Sequence, residues 1–155
     1  MVRWPRVLAA TLGLVLLDQL TKIAFTQKVV LLPFLHLTPV RNTGTIFGLF
    51  PGHPGLFALV AIFPLGVLAY YVWKEKALSD LEESAYILVF AGLLGNMVDR
   101  VALGYVRDFL DMIVWPVFNL ADAFTVLGVL LLLVGPFVQR SAGSHHHPQG
   151  QRAGP

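Results

Sequence analysis

Hydrophobic and polar positions along this chain fall into long blocks rather than alternating or forming a helical stripe. Four apolar blocks stand out, at about Val7–Phe25, Leu56–Trp73, Ser84–Val98 and Phe118–Val138. Each approaches the roughly 20 residues that a helix needs to cross a hydrocarbon layer of about 30 Å. The third is short, but Leu81 and the residues after Val98 extend it. In lipid every backbone polar group must be satisfied within its own segment, which leaves helices as the spanning form. A β-barrel needs alternating segments of about ten residues, and the chain has none. The pattern therefore predicts an all-α membrane protein with four transmembrane helices.

The stretches between the blocks carry their own signals. Residues 27–53 contain Val29-Val30-Leu31-Leu32 and Phe34-Leu35-His36-Leu37-Thr38. Pro33 and Pro39 argue against a helix, and the residue mix favours short strands. A small sheet lying against the membrane surface is expected there. Residues 102–115 read as a short amphipathic interfacial piece, with Tyr105 and Trp115 at headgroup level. Residues 1–140 form the expected single domain. The tail, residues 141–155, is rich in Gly, Pro, Gln and His and is expected to be disordered.

Composition sharpens the class. The chain has 155 residues, 56% hydrophobic and 13% charged, with a mean hydropathy of +0.71. That charged share is about half of what a soluble domain carries. A net charge of +2 with scattered basic residues argues against nucleic acid as a partner. The absence of cysteine excludes disulfides, thiolate metal sites and cysteine nucleophiles. The first block runs past signal-peptide length without a clear small-x-small cleavage site, so it is expected to stay as an anchor. Four spans put both termini on one side. Arg3, Arg6, Lys74, Lys76, Arg140 and Arg152 would then face the cytoplasm, and Lys28, Arg41, Arg100 and Arg107 the outside.

The chemistry lies in a doubled pattern, Asn96-Met97-Val98-Asp99 and Asn119-Leu120-Ala121-Asp122. On a helix, residues three apart share a face. At 1.5 Å per residue, Asp99 lies about 24 Å beyond Glu83 and Asp122 about 27 Å from Arg140. An ionisable group at such depth is costly and marks function. Two carboxylates meeting in a low-dielectric site would share a proton, as in aspartic proteases. Asn96 and Asn119 would orient them or hold substrate backbone. Asp18 and Lys22, at i and i+4, read as a self-neutralising supporting pair or as shapers of the site. Arg100 adjoins the site and would bridge to Asp108 or Asp111. A proton-coupled transporter is the rival from another class, and a structural assembly factor a third reading. The second block, however, has no polar residue between Leu56 and Tyr70 to continue a proton path.

Taken together, the motifs Asp18-Gln19-Leu20-Thr21-Lys22, Asn42-Thr43-Gly44-Thr45-Ile46-Phe47-Gly48, Gly95-Asn96-Met97-Val98-Asp99-Arg100, Gly104-Tyr105-Val106-Arg107-Asp108-Phe109 and Phe118-Asn119-Leu120-Ala121-Asp122 resemble the lipoprotein signal peptidase (signal peptidase II) family. One departure is Ile46, where the family usually has a small residue before the phenylalanine, and the His-rich tail with His145-His146-His147 has no counterpart in the family pattern. The resemblance implies four transmembrane helices, an extracytoplasmic β-cradle (about residues 27–53) and a short interfacial helix. It implies an aspartic endopeptidase that removes the signal peptide of prolipoproteins just before a diacylglyceryl-modified cysteine. By the motif match, Asp99 and Asp122 would be catalytic, and Asn42, Gly44, Asn96, Arg100 and Asn119 would bind substrate or inhibitor. Asp18, Lys22, Asp108 and Ala121 would support them. No metal or cofactor is expected. The implied partners are the lipid-modified substrate, membrane lipid and globomycin-type inhibitors. The implied setting is a monomer in the bacterial cytoplasmic membrane, with its site near the outer face.

Overall fold

The computed structural model describes residues 2–43, 54–75 and 77–143. Its elements run α1 (Trp4–Ala24), β1 (Val29–Leu32), β2 (Leu35–Asn42), α2 (Pro54–Lys74), α3 (Asp80–Leu103), β3 (Val106–Asp111) and α4 (Leu120–Gly143). The apolar blocks are thus helices of 21 to 24 residues, about 31 to 36 Å long at 1.5 Å per residue. By length and composition, α1 and α3 are each able to cross a membrane, while α2 and α4 carry shorter apolar stretches at Ile62–Lys74 and Leu120–Gly135.

Local chemistry sets the helix ends. Pro5 sits in the first turn of α1, where a missing N–H costs nothing. Ser79 and Glu82 form a reciprocal capping box at the start of α3. Gly104 ends α3 in the left-handed region, at φ 80°, as only glycine does without strain. The starts of α1 and α3 are tied together by Glu83, which is buried and accepts from Arg3 Nε at 3.0 Å. Arg3 also pairs with Asp80.

Burial on α1 runs opposite to that of a water-soluble helix. Val7, Thr11, Asp18 and Lys22 face inward, while Leu8, Leu12, Leu16, Leu17, Leu20 and Ile23 are exposed. Ionisable groups inside and leucines outside is the sorting that a lipid solvent selects. α3 and α4 pack closely through small residues. A Cβ on Gly92 would lie 2.3 Å from the carbonyl oxygen of Ala121, and one on Gly128 would lie 2.8 Å from that of Ala85. Backbones this close are a hallmark of helix packing in membranes.

The three strands form one antiparallel sheet in the order β1-β2-β3. β1 and β2 turn through Pro33-Phe34, with Val29 opposite Leu37 and Leu32 opposite Leu35. β2 and β3 pair with Val40 opposite Asp108 and Asn42 opposite Val106. The register shifts between Leu37 and Val40, where Pro39 lacks a donor.

This sheet corrects two expectations. There is no helix between Leu103 and Leu120; instead residues 106–111 supply the third strand. Its backbone finds partners on both edges, β2 on one side and Phe118 on the other, and Val106 and Phe109 are buried. A helix at the surface would have satisfied neither edge. The described part of the cradle is therefore residues 29–42 plus 106–111, not 27–53 alone. α4 continues to Gly143, past the expected start of the tail. Gly44, Ile46 and Phe47 lie outside the described residues, as does the histidine run at 145–147.

Candidate active site

Two connections bring the site together. Phe118 N donates to Leu110 O at 3.0 Å, and Phe118 O accepts from Leu110 N at 2.8 Å. The chain is thereby pinned to β3 one residue before Asn119, which then opens α4. Asn119 Oδ1 accepts from Asp122 N at 3.0 Å, and Asp122 Oδ2 accepts from Asn119 N at 3.1 Å. This is a reciprocal capping box, so the second Asn-x-x-Asp spans a helix start rather than a helix face. Asp122 lies in the first turn, at the end of the helix dipole that attracts negative charge.

Asn119 also reaches across to β3, where its Nδ2 donates to Asp108 Oδ1 at 2.6 Å. Asp108 Oδ2 accepts from Asn42 Nδ2 at 2.9 Å. Asp108 is only 3% exposed. Its carboxyl is raised to about 6, chiefly by burial and also by the neighbouring Asp122 charge, against the lowering bonds from Asn42 and Asn119 and the charge of Lys22. Asn96 completes the frame. Its Nδ2 donates to Asp122 Oδ1 at 2.7 Å, and its Oδ1 accepts from Asn119 Nδ2 and from Lys22 Nζ, both at 3.0 Å. Arg100 is half-buried nearby, its Nη1 reaching Asn96 O at 3.5 Å, and its charge faces Asp122, Asp108 and Asp99.

A second, fully paired network lies behind this one. Lys22 Nζ stands 2.8 Å from Asp18 Oδ2 and 3.3 Å from Asp99 Oδ2, and all three side chains are inaccessible. Asp99 Oδ1 accepts from Arg107 Nη2 at 2.6 Å, and Asp99 Oδ2 accepts from Arg107 N at 2.9 Å. Arg107 Nη2 also donates to Gln19 Oε1 at 2.7 Å. Asp18 Oδ1 accepts from Ala121 N at 3.0 Å, which ties α1 to the start of α4. Two acids and two bases make the cluster neutral, as burial requires.

The expectation that Asp99 meets Asp122 is therefore corrected. Both Asp99 oxygens are taken by Arg107 and Lys22, and the acid brought to Asp122 is Asp108. Asn42, Asn96, Arg100 and Asn119 do gather around Asp108 and Asp122. Asp18, Lys22 and Ala121 lie behind them, where Ala121 N donates to Asp18 and Lys22 pairs with it. Asp111 bonds Thr38 and Ile113 N instead of Arg100. Sequence reasoning gave Asp108 only a supporting place and passed over Arg107 and Gln19 as ligands of the buried network. The apolar Val106, Phe109 and Leu110 around Arg107-Asp108 are as compatible with an amphipathic turn as with a strand, so the pairing that holds Asp108 had no clear signal.

Comparison with known proteins shows the family and the fold. The family Signal peptidase (SPase) II, Peptidase_A8, matches residues 10–138. A lipoprotein signal peptidase of Halothermothrix orenii is 36% identical over 136 residues, covering 83% of this chain and 93% of that protein. One from Thermodesulfovibrio yellowstonii is 40% identical over 131 residues, covering 77% and 86%. Two solved structures, each described as a bacterial membrane enzyme, share the fold. One has a TM-score of 0.79 at 28% identity over 94% of this chain and 95% of the other. The second has a TM-score of 0.76 at 33% identity, over 84% and 92%. With its motifs, its fold and these matches in agreement, the chain belongs to the signal peptidase II family of membrane proteases.

Proposed function

We propose that this chain is an aspartic endopeptidase that cuts prolipoproteins on the amino-terminal side of a diacylglyceryl-modified cysteine, and that Asp108 and Asp122 form its catalytic pair. The observation that carries the pairing is Asn119, which bonds both carboxylates while Asp99 is saturated by Arg107 and Lys22. A pair of acids sharing one proton needs one member protonated near neutral pH, and the raised pKa of Asp108 suits it to that role. Asp122, ionised, takes a proton from a water held between them. The water attacks the scissile carbonyl, and Asp108 protonates the leaving nitrogen. Arg100 stands where it can balance the charge that develops on the carbonyl oxygen. Asn42 and Asn96 hold the carboxyl groups and present polar edges to substrate backbone.

In this reading α1 to α4 all span the bacterial cytoplasmic membrane, with both termini in the cytoplasm. The sheet and the catalytic pair lie at the outer face, within reach of water and of the lipid-bearing cysteine. The enzyme acts as a monomer and is open to globomycin-type inhibitors. The test is cleavage by purified full-length protein in detergent. A prolipoprotein carrying diacylglycerol on its cysteine should be cut, and the same chain without lipid should not. Equal cleavage of both, or of neither, would refute the substrate assignment.

A further inference from the structure

We propose that the cavity between the end of α1 and the β2–β3 pair binds the phosphodiester headgroup of an anionic membrane phospholipid. The cavity has a volume of about 250 Å³. The register sets Arg41 opposite Arg107, and both reach its wall along with Lys22. Like charges directly opposed across strands destabilise the pair unless something offsets them. Arg107 is offset by Asp99 at 2.6 Å and Lys22 by Asp18 at 2.8 Å. Among the described residues no carboxylate pairs with Arg41, which lies over the Tyr105 ring at 5.2 Å from its centroid. One planar, exposed guanidinium is thus left unmatched at the cavity, a geometry suited to phosphate oxygens.

Phe25, Pro39, Val40 and Phe109 make part of the wall apolar, and Thr26 and Asp108 add polar edges. The rings of Phe25 and Phe109 stand 5.1 Å apart, and beyond Phe25 the outward face of α1 continues through the exposed Ile23 and Leu20. The occupant should join an anionic head to an apolar body, as a phospholipid does and inorganic phosphate does not. The cavity borders the catalytic site, because Asp108, held by Asn42 and Asn119, lines it too. Lipid retention is read without turnover, so failure of this inference and failure of the proteolytic reading are distinguishable.

The test uses native mass spectrometry of the full chain released from micelles doped with phosphatidylglycerol or phosphatidylcholine. Wild type should retain one phosphatidylglycerol with a preference of roughly tenfold, the worth of one charge-assisted hydrogen bond. Arg41→Gln should erase that preference without changing phosphatidylcholine retention, and Arg41→Lys should keep part of it, which guards against a simple folding defect. Equal retention of the two lipids by wild type, or an unchanged preference in Arg41→Gln, would overturn the proposal. Inorganic phosphate binding wild type as tightly as the lipid would overturn the assignment to a headgroup.

Discussion

Ionising Asp108 should cost the folded protein stability, and Asp108→Asn should remove that cost. The carboxyl moves from 3.8 to about 6 on folding. A shift of about two units is worth about 3 kcal/mol at 1.36 kcal/mol per unit. The sign follows from the proton count. Between those values the folded state keeps a proton that the unfolded chain has released. The contribution is therefore fully present below about pH 4 and is lost as pH rises through about 6. Asp108→Asn abolishes this pH dependence. It also leaves one amide hydrogen pair facing Asn42 or Asn119, but that penalty is the same at every pH. The assay is reversible unfolding in mixed micelles from pH 4.5 to 7.5, read as the difference between wild type and variant. Over that range wild type should lose about 2 kcal/mol of this contribution relative to Asp108→Asn, the rest having gone below pH 4.5. Asp122→Asn should show a shallower loss than wild type, because it removes one of the influences that raise Asp108. Parallel profiles for wild type and Asp108→Asn would refute the reasoning.

Other expectations follow from the packing and the paired network. Lys22→Met leaves Asp18 and Asp99 facing each other without their shared cation and should cost about 3–5 kcal/mol, seen as loss of folded protein in a thermal shift assay. Gly92→Ala puts a methyl group against the Ala121 carbonyl oxygen and Thr125 and should cost about 1–3 kcal/mol. Gly13→Ala meets nothing within 4 Å and should leave stability unchanged or raise it by up to about 1 kcal/mol; matching melting points for the two glycine variants would contradict the α3–α4 packing. Asn119→Ala loses the α4 cap, worth about 0.5–2 kcal/mol, and also removes the amide that bonds Asp108 and Asn96. Its turnover should therefore fall much further than its stability, as measured by kcat per folded molecule.

The helices were legible because their signal is long and one-dimensional. A run of about 20 apolar residues needs no partner to be recognised, although α3 runs from Asp80 to Leu103, beyond the apolar block on both sides. β3 was hidden for the opposite reason. It is six residues long and its pairing partner, β2, lies more than sixty residues earlier. At that length a strand and an amphipathic turn look alike. The two Asn-x-x-Asp stretches share a spacing but not a structure. Asn96 and Asp99 lie inside α3, while Asn119 and Asp122 cap α4. The shared spacing, together with the motif match, suggested symmetry and drew Asp99 into the pair. What separates Asp99 from Asp108 is the set of neighbours, two cations for one and two asparagine amides for the other. Those neighbours come from four segments, α1, β2, β3 and the start of α4.

The identity of the acid that works with Asp122 is tested most directly by cleavage rates per folded molecule for three single variants. Asp108→Asn and Asp122→Asn should each lose at least about a thousandfold, within the range expected for removing acid–base catalysis. Asp99→Asn, which keeps an oxygen for Arg107, should stay within about tenfold of wild type once its folded fraction is counted. An Asp99→Asn protein that is folded yet as inactive as Asp122→Asn, beside an Asp108→Asn protein that still cuts, would contradict the pairing.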